Sequence, residues 1–241
     1  MTTAGRPVGG RWPAIALVVG ASVLAACTAP TATRATSGAG PTVPVTTTTA
    51  AVLPIFTAAI SPVSAADLPA SWRPGCPVPP EELRRLVLIY LGFDGQAHTG
   101  SLVVHASVSR EIAEVFRRLY ETRFAIRRME PIDVFGGSDE ASIAADNTSG
   151  FNCRDAVSSG APHLSAHAYG RAVDLNPVEN PYILEGTVLP PAGSPYLDRS
   201  VVRPGMAVRG GEAVAAFAAI GWSWGGRWAS PDYQHFSESG N

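Results

Sequence analysis

The sequence predicts one compact α+β domain with a small, mostly antiparallel sheet and helices packed around it, and three observations point there. Runs of β-branched and apolar residues share the stretch from Ser71 to Asn241 with 3.6-residue apolar periodicities, but the two kinds do not alternate as a doubly wound parallel sheet requires. Two of the strand-like runs are separated only by a Gly-rich connection, which makes them adjacent strands. Before Ser71 the only charges are Arg6, Arg11, Arg34 and Asp67, and no periodicity is present to build a second core.

Taken in order, Arg6 and Arg11 precede an uncharged run from Trp12 to Ala26, and Cys27 follows. This is signal-peptide order, and the run is shorter than the roughly 20 apolar residues of a spanning helix. Leu24-Ala25-Ala26-Cys27 resembles a bacterial lipobox. The expectation for residues 1–27 is therefore a lipoprotein signal peptide with a lipidated Cys27, which would anchor the chain on the extracytoplasmic face of the bacterial cell membrane. An ordinary cleavable signal with an incidental cysteine is the alternative. Residues 28–70 are rich in Thr, Ala and Pro and read as a disordered linker.

In the domain, residues 71–241, Leu86 to Leu91 and Ser101 to Ala106 read as strands on either side of GFDGQAHTG. Ser109 is placed to cap a helix whose Ile112, Val115, Phe116, Leu119 and Tyr120 share one face. Phe124 to Met129 reads as a further strand, Ser138 to Asp146 as a short helix, and Gly211 to Ile220 as a buried helix of small residues.

All 18 basic residues are arginine. Without a lysine there is no phosphate-binding Gly-Lys-Ser/Thr loop, no Schiff base and no Ser-x-x-Lys pair. A net charge of −2 gives no basic footprint for nucleic acid, which is excluded as a partner, and a monomer is expected. With Cys27 assigned to lipid, Cys76 and Cys153 remain of the three cysteines. An oxidising exported compartment favours a disulfide between them; two separate buried thiols are the alternative.

The chemistry is concentrated in Ser165-Ala-His167-Ala-Tyr-Gly170-Arg-Ala-Val-Asp174 and Asp232-Tyr-Gln-His235. A catalytic zinc takes three N or O ligands and leaves a fourth position for water, and His167, Asp174 and His235 supply that number. Gly170 breaks any helix, so His167 is expected on a turn, Asp174 on the following strand Ala172 to Leu175, and His235 on a C-terminal strand. Asp232, three residues before the last ligand, is placed to act as a base that does not bind the metal. Arg154 is the candidate for holding a carbonyl oxygen as it becomes anionic.

The segment SAHAYGRAVD with its downstream acid-x-x-His resembles the zinc D-alanyl-D-alanine carboxypeptidases and L-alanyl-D-glutamate peptidases of peptidoglycan, the VanY-like metallopeptidases. The likeness extends through GFDGQAHTG, DNTSGFNCR, DLNPVENPY and GWSWGGRW, covering about Pro79 to Phe236. It implies zinc on His167, Asp174 and His235, Asp232 as general base, Arg154 polarising the scissile carbonyl, and Ser165 in contact with substrate. It also implies the stem peptide of peptidoglycan as partner. An Asp at the base position is closer to the endopeptidase members than to the dipeptidases, which use Glu. Which bond is cut stays open.

Other readings stand beside these. A non-catalytic wall-binding or partner-binding module would keep the metal for structure, yet a structural site has no use for Asp232. His163 lies four residues before His167, but Pro162 argues against a helix that would pair them. Gly221-Trp-Ser223-Trp-Gly225 matches a nucleophile elbow, although too few residues separate Ser223 from His235 for a hydrolase fold. Trp222, Trp224 and Trp228 are candidates for either cleft or core. Arg171 and Arg227 are candidates for a substrate carboxylate or for plain surface charge.

Overall fold

Three antiparallel strands open the described chain: β1 (Ala58–Pro62), β2 (Leu83–Leu91) and β3 (Ala97–His105), in the order β1-β2-β3. The computed structural model describes residues 53–158 and 161–240, so the expected signal peptide, Cys27 and much of the linker lie outside the described residues. Alternation decides the faces of this sheet. Leu86, Leu88, Tyr90, Leu102 and Val104 point into the main core, while Leu83 and Val103 point into a smaller cluster with Val63, Leu68, Val78 and Phe151.

Strand β1 lies inside the stretch that reads as linker, so the folded unit begins before Ser71. All its side chains are exposed, which removes the apolar pattern that marks a strand in sequence. It is held instead by its backbone ladder to β2, from Ala58↔Leu88 to Pro62↔Arg84. Just before it, Tyr120 donates a hydrogen bond to the Pro54 carbonyl (2.8 Å), and Phe56 rests against the Tyr120 ring.

Helix α1 (Ser109–Glu121) buries Ile112, Val115, Phe116 and Leu119 against the sheet. Ser109 does not cap it: the residue is buried and its hydroxyl donates to the Ala106 carbonyl (2.9 Å). A tight turn over Ala106–Val108 runs directly into the helix, with His105 accepting from the Ser107 amide (3.1 Å). The strand expected over Phe124 to Met129 shrinks to β4 (Arg128–Met129), because the Arg127 amide is taken by the Asn176 side chain (3.0 Å). Helix α2 (Asp139–Ala144) is capped by Ser138, and β5 (Asn147–Thr148) returns parallel to β4.

Strands β6 (Ala172–Asp174), β7 (Tyr182–Leu184) and β8 (Thr187–Leu189), helix α3 (Glu212–Ala218), and strands β9 (Ser223–Trp224) and β10 (His235–Ser237) complete the chain. A second antiparallel sheet has the order β6-β10-β9, and β7 and β8 form a hairpin beside it. Val173 of β6 and Phe236 of β10 enter the main core, where Phe236 stacks on Phe217 of α3 with ring centroids 4.1 Å apart. The fold is thus α+β, with small sheets mostly antiparallel. Cys76 and Cys153 are joined by a disulfide. Among the described residues no helix is long and apolar enough to cross a membrane.

The motif DLNPVENPY forms a pinned turn after β6. The Asn180 side chain donates to the Leu175 (3.0 Å) and Gly205 (2.9 Å) carbonyls and accepts from the Ala207 amide (2.7 Å). Glu179, only 1% exposed, lies against Asp146 under Arg127. Burial, followed by the adjacent Asp146, pushes its carboxyl from 4.5 up to about 8. Between those two values the folded chain keeps a proton that the unfolded chain releases, so this group's contribution to stability falls as pH rises. Replacing Glu179 with Gln removes that dependence. Relative to wild type, Glu179→Gln is expected to be more stable at pH 8.5 than at pH 6 in urea unfolding, and equal offsets at both pH values would contradict the assignment.

Candidate metal centre and its cleft

The spacing of Ser-x-His-x-x-Gly-x-Ala-x-Asp has a local cause at each position. Residues Ala166–Tyr169 form one tight turn, and the Ser165 hydroxyl caps it by accepting from the His167 amide (3.2 Å). Gly170 ends the turn at φ 66°, a left-handed conformation that glycine adopts without strain. A Cβ there would also stand 2.6 Å from the His105 amide nitrogen. The chain then enters β6, where Ala172 and Val173 are fully buried and Asp174 closes the strand. Antiparallel pairing with β10 sets His235 directly opposite Asp174.

His167, Asp174 and His235 are all nearly inaccessible, at 2%, 2% and 6% exposure. His167 Nε2 lies 3.1 Å from Asp174 Oδ2 and 3.2 Å from His235 Nδ1, and His235 Nδ1 lies 3.2 Å from Asp174 Oδ1. Three ligands around a tetrahedral centre at about 2.0–2.1 Å stand about 3.3 Å apart, close to this triangle. The tautomer agrees. His167 Nδ1 donates to the Gly150 carbonyl (2.6 Å), so in the neutral ring Nε2 presents a lone pair inward. His235 Nε2 is buried without a partner among the described residues, and its Nδ1 faces only the other two members of the triangle. Three acceptors facing one another repel unless a cation sits between them, and a divalent metal satisfies all three at once. The donor set therefore fits a metal, and it is the one metal-capable group of His, Cys, Asp and Glu among the described residues.

A proton on His167 would relieve the same crowding. Burial works against charge on His167 and Asp174, but their mutual attraction overcomes it. The imidazole is held above its usual range and the carboxyl well below its own. Asp232 is different: burial first, and then the charge of Asp174, pushes its carboxyl up to about 7. Its Oδ1 has no hydrogen-bond partner among the described residues. The segment is pinned by Ile183 donating to the Pro231 carbonyl (2.9 Å) and Asp232 donating to the Gly225 carbonyl (3.1 Å).

A cleft of about 1260 Å³ opens over these groups and is lined by Arg154, Ser165, His167, Asp174, Asp232 and His235 together. Apolar side chains, among them Ile143, Leu184, Leu189 and Trp228, share its walls. Arg154 reaches Asp139 at the start of α2 (2.8 Å) and donates to the Asp155 carbonyl (3.1 Å). The Ser165 hydroxyl accepts within its turn, and its own hydrogen stays available to a ligand.

The remaining candidates separate cleanly. Trp222 and Trp224 are core residues, whereas the Trp228 ring lines the cleft 5.3 Å from that of His235. His163 lines the cleft, but its Nδ1 turns to the Ala161 carbonyl (3.0 Å) and stays outside the triangle. Arg171 also lines the cleft and is paired with Glu238. Ser223 and Arg227 are exposed and do not line it. Asp139 and the Gly150 carbonyl are the partners that the sequence did not announce. Asp139 looks there like a helix N-terminus, and a backbone acceptor leaves no residue signature.

Residues 159–238 match the family model described as D-alanyl-D-alanine carboxypeptidase. The match spans Ser165, all three candidate ligands and Asp232, but not Arg154 or Asp139, and it supports placing this segment among the VanY-like peptidases. No curated protein and no solved structure gives a significant match.

The glycine at the end of the histidine turn gives a direct check. Gly170→Ala combines a left-handed backbone with a clash against His105 and is expected to cost about 1–3 kcal/mol in stability. A denaturant midpoint indistinguishable from wild type would show that the turn is not constrained as described.

Proposed function

We propose that this chain is a zinc metallopeptidase that hydrolyses a peptide bond in the stem peptide of peptidoglycan, in the manner of a D-alanyl-D-alanine carboxypeptidase or an L-alanyl-D-glutamate endopeptidase. The observation that carries the reading is a three-acceptor triangle with an acid beside it that is not part of the triangle. A structural metal site closes with four ligands and needs no such acid.

His167, Asp174 and His235 would hold the ion. Zinc bound there would lower the pKa of a water and draw electrons from the substrate carbonyl. Asp232 accepts the proton as the water oxygen attacks the carbonyl carbon, and later returns that proton to the nitrogen of the leaving amine. The breaking C–N bond leaves a new carboxylate on one product and a free amine on the other. Arg154 donates to the carbonyl oxygen while it carries negative charge. Ser165, with its hydroxyl hydrogen free, and the Trp228 face orient the peptide in the cleft.

An anchored enzyme suits this substrate. A lipidated Cys27 followed by a Thr-, Ala- and Pro-rich tether would let the domain reach the wall from the extracytoplasmic face of the membrane, acting as a monomer.

Incubating the full-length chain with purified muropeptides and reading the products by mass spectrometry tests the proposal. The wild type is expected to release one defined fragment, to stop with a chelator and to recover with added zinc. Asp232→Asn is expected to bind zinc normally while kcat falls about 10²–10⁴-fold. Undiminished cleavage by Asp232→Asn, or cleavage indifferent to chelation, would overturn it.

A further inference from the structure

Arg154 is a long side chain with roughly 2 kcal/mol of rotamer entropy to lose, and an oxyanion donor has to be in place before the charge develops. Its backbone is already fixed. The residue before it forms the disulfide to Cys76 and donates to the Ser71 carbonyl (2.9 Å), while the Arg154 carbonyl accepts from Ser165 (3.1 Å). None of this fixes the guanidinium itself, five bonds further out.

We infer that Asp139 is the positioning residue for Arg154, clamping the guanidinium at the cleft wall so that its unspent N–H groups meet the reacting carbonyl. Asp139 Oδ2 stands 2.8 Å from Arg154 Nη2, with the two side chains only 16% and 20% exposed. The Asp155 carbonyl takes one hydrogen of Nη1 (3.1 Å). A guanidinium has five N–H donors; these two contacts fix its plane, Nε is buried without a partner among the described residues, and one N–H on each Nη is left for a ligand. Asp139 is itself held, because it begins α2 directly after the Ser138 cap, whose hydroxyl accepts from Ala141 (3.1 Å). Both residues line the cleft that contains the ligand triangle.

The pairing also sets a sign. If Asp139 merely diluted the positive charge of Arg154, removing its charge would help catalysis. If it orients the side chain, removal hurts. Orientation acts on the transition state, so the loss falls on kcat and leaves KM within about twofold.

This inference rests on the hydrolase reading, and its experiment separates the two. In the full-length chain Asp139→Ala is expected to lower kcat at least tenfold, with Asp139→Asn, which keeps size and one acceptor, recovering part of the loss. In an Arg154→Ala background Asp139→Ala should cost nothing more. Nitrogen-15 relaxation of the Arg154 Nε–H group in the metal-free chain reads the clamp without activity. Its order parameter is expected near 0.8 in wild type and below about 0.6 in Asp139→Ala, with Asp139→Asn between the two. Unchanged kcat, equal losses with and without Arg154, or an unchanged order parameter would each overturn the assignment. Absence of any hydrolysis by wild type, with the drop in order parameter intact, would sink the hydrolase reading and leave the clamp standing.

Discussion

Antiparallel pairing of β6 with β10 sets Asp174 opposite His235, and a single turn before β6 swings His167 onto the same point. Three groups that all offer lone pairs are thereby buried within about one hydrogen-bond length of one another. Taking a carboxylate and two imidazoles out of water costs several kcal/mol per charge unless they are compensated. The surrounding structure tolerates this arrangement because it is rigid. Val173 and Phe236, the strand neighbours of Asp174 and His235, sit at 0% exposure in the main core and cannot shift to relieve the crowding.

That constraint orders the rest of the site. Gly150 serves the triangle through its carbonyl, and its own close approach to Val103 ties the strip before β6 to the first sheet. The bridge from Ser149 to Asp174 continues the same strip, with reciprocal backbone bonds of 3.0 and 2.9 Å. The disulfide adds a third tie next to Arg154. Groups contributed by distant parts of the chain are thus fixed relative to one another before any ligand enters. Such preorganisation is what a site that stabilises developing charge requires.

The legible part of this protein is the part encoded at short range. Ser165, His167, Gly170 and Asp174 lie within one turn and one strand, so residue spacing alone defines their geometry, and the apolar face of α1 follows from 3.6-residue periodicity. What was not legible depends on partners far along the chain. Strand β1 has no buried side chain and exists through its backbone ladder to β2. The strand expected over Phe124 to Met129 is cut short by the side chain of Asn176, 49 residues beyond Arg127 and far outside any local window. Asp139 becomes a partner of Arg154 only once α2 is laid beside the cleft. The three C-terminal tryptophans look alike in sequence, and tertiary packing sends Trp222 and Trp224 inward while Trp228 faces the cleft.

The most direct measurement is X-ray absorption at the zinc edge on the zinc-loaded full-length chain after gel filtration. The account predicts one retained zinc with only nitrogen and oxygen neighbours at about 2.0–2.1 Å, including two imidazoles, and loss of that signature in His235→Ala. A sulfur shell at about 2.3 Å, or a chain that emerges without zinc, would contradict it.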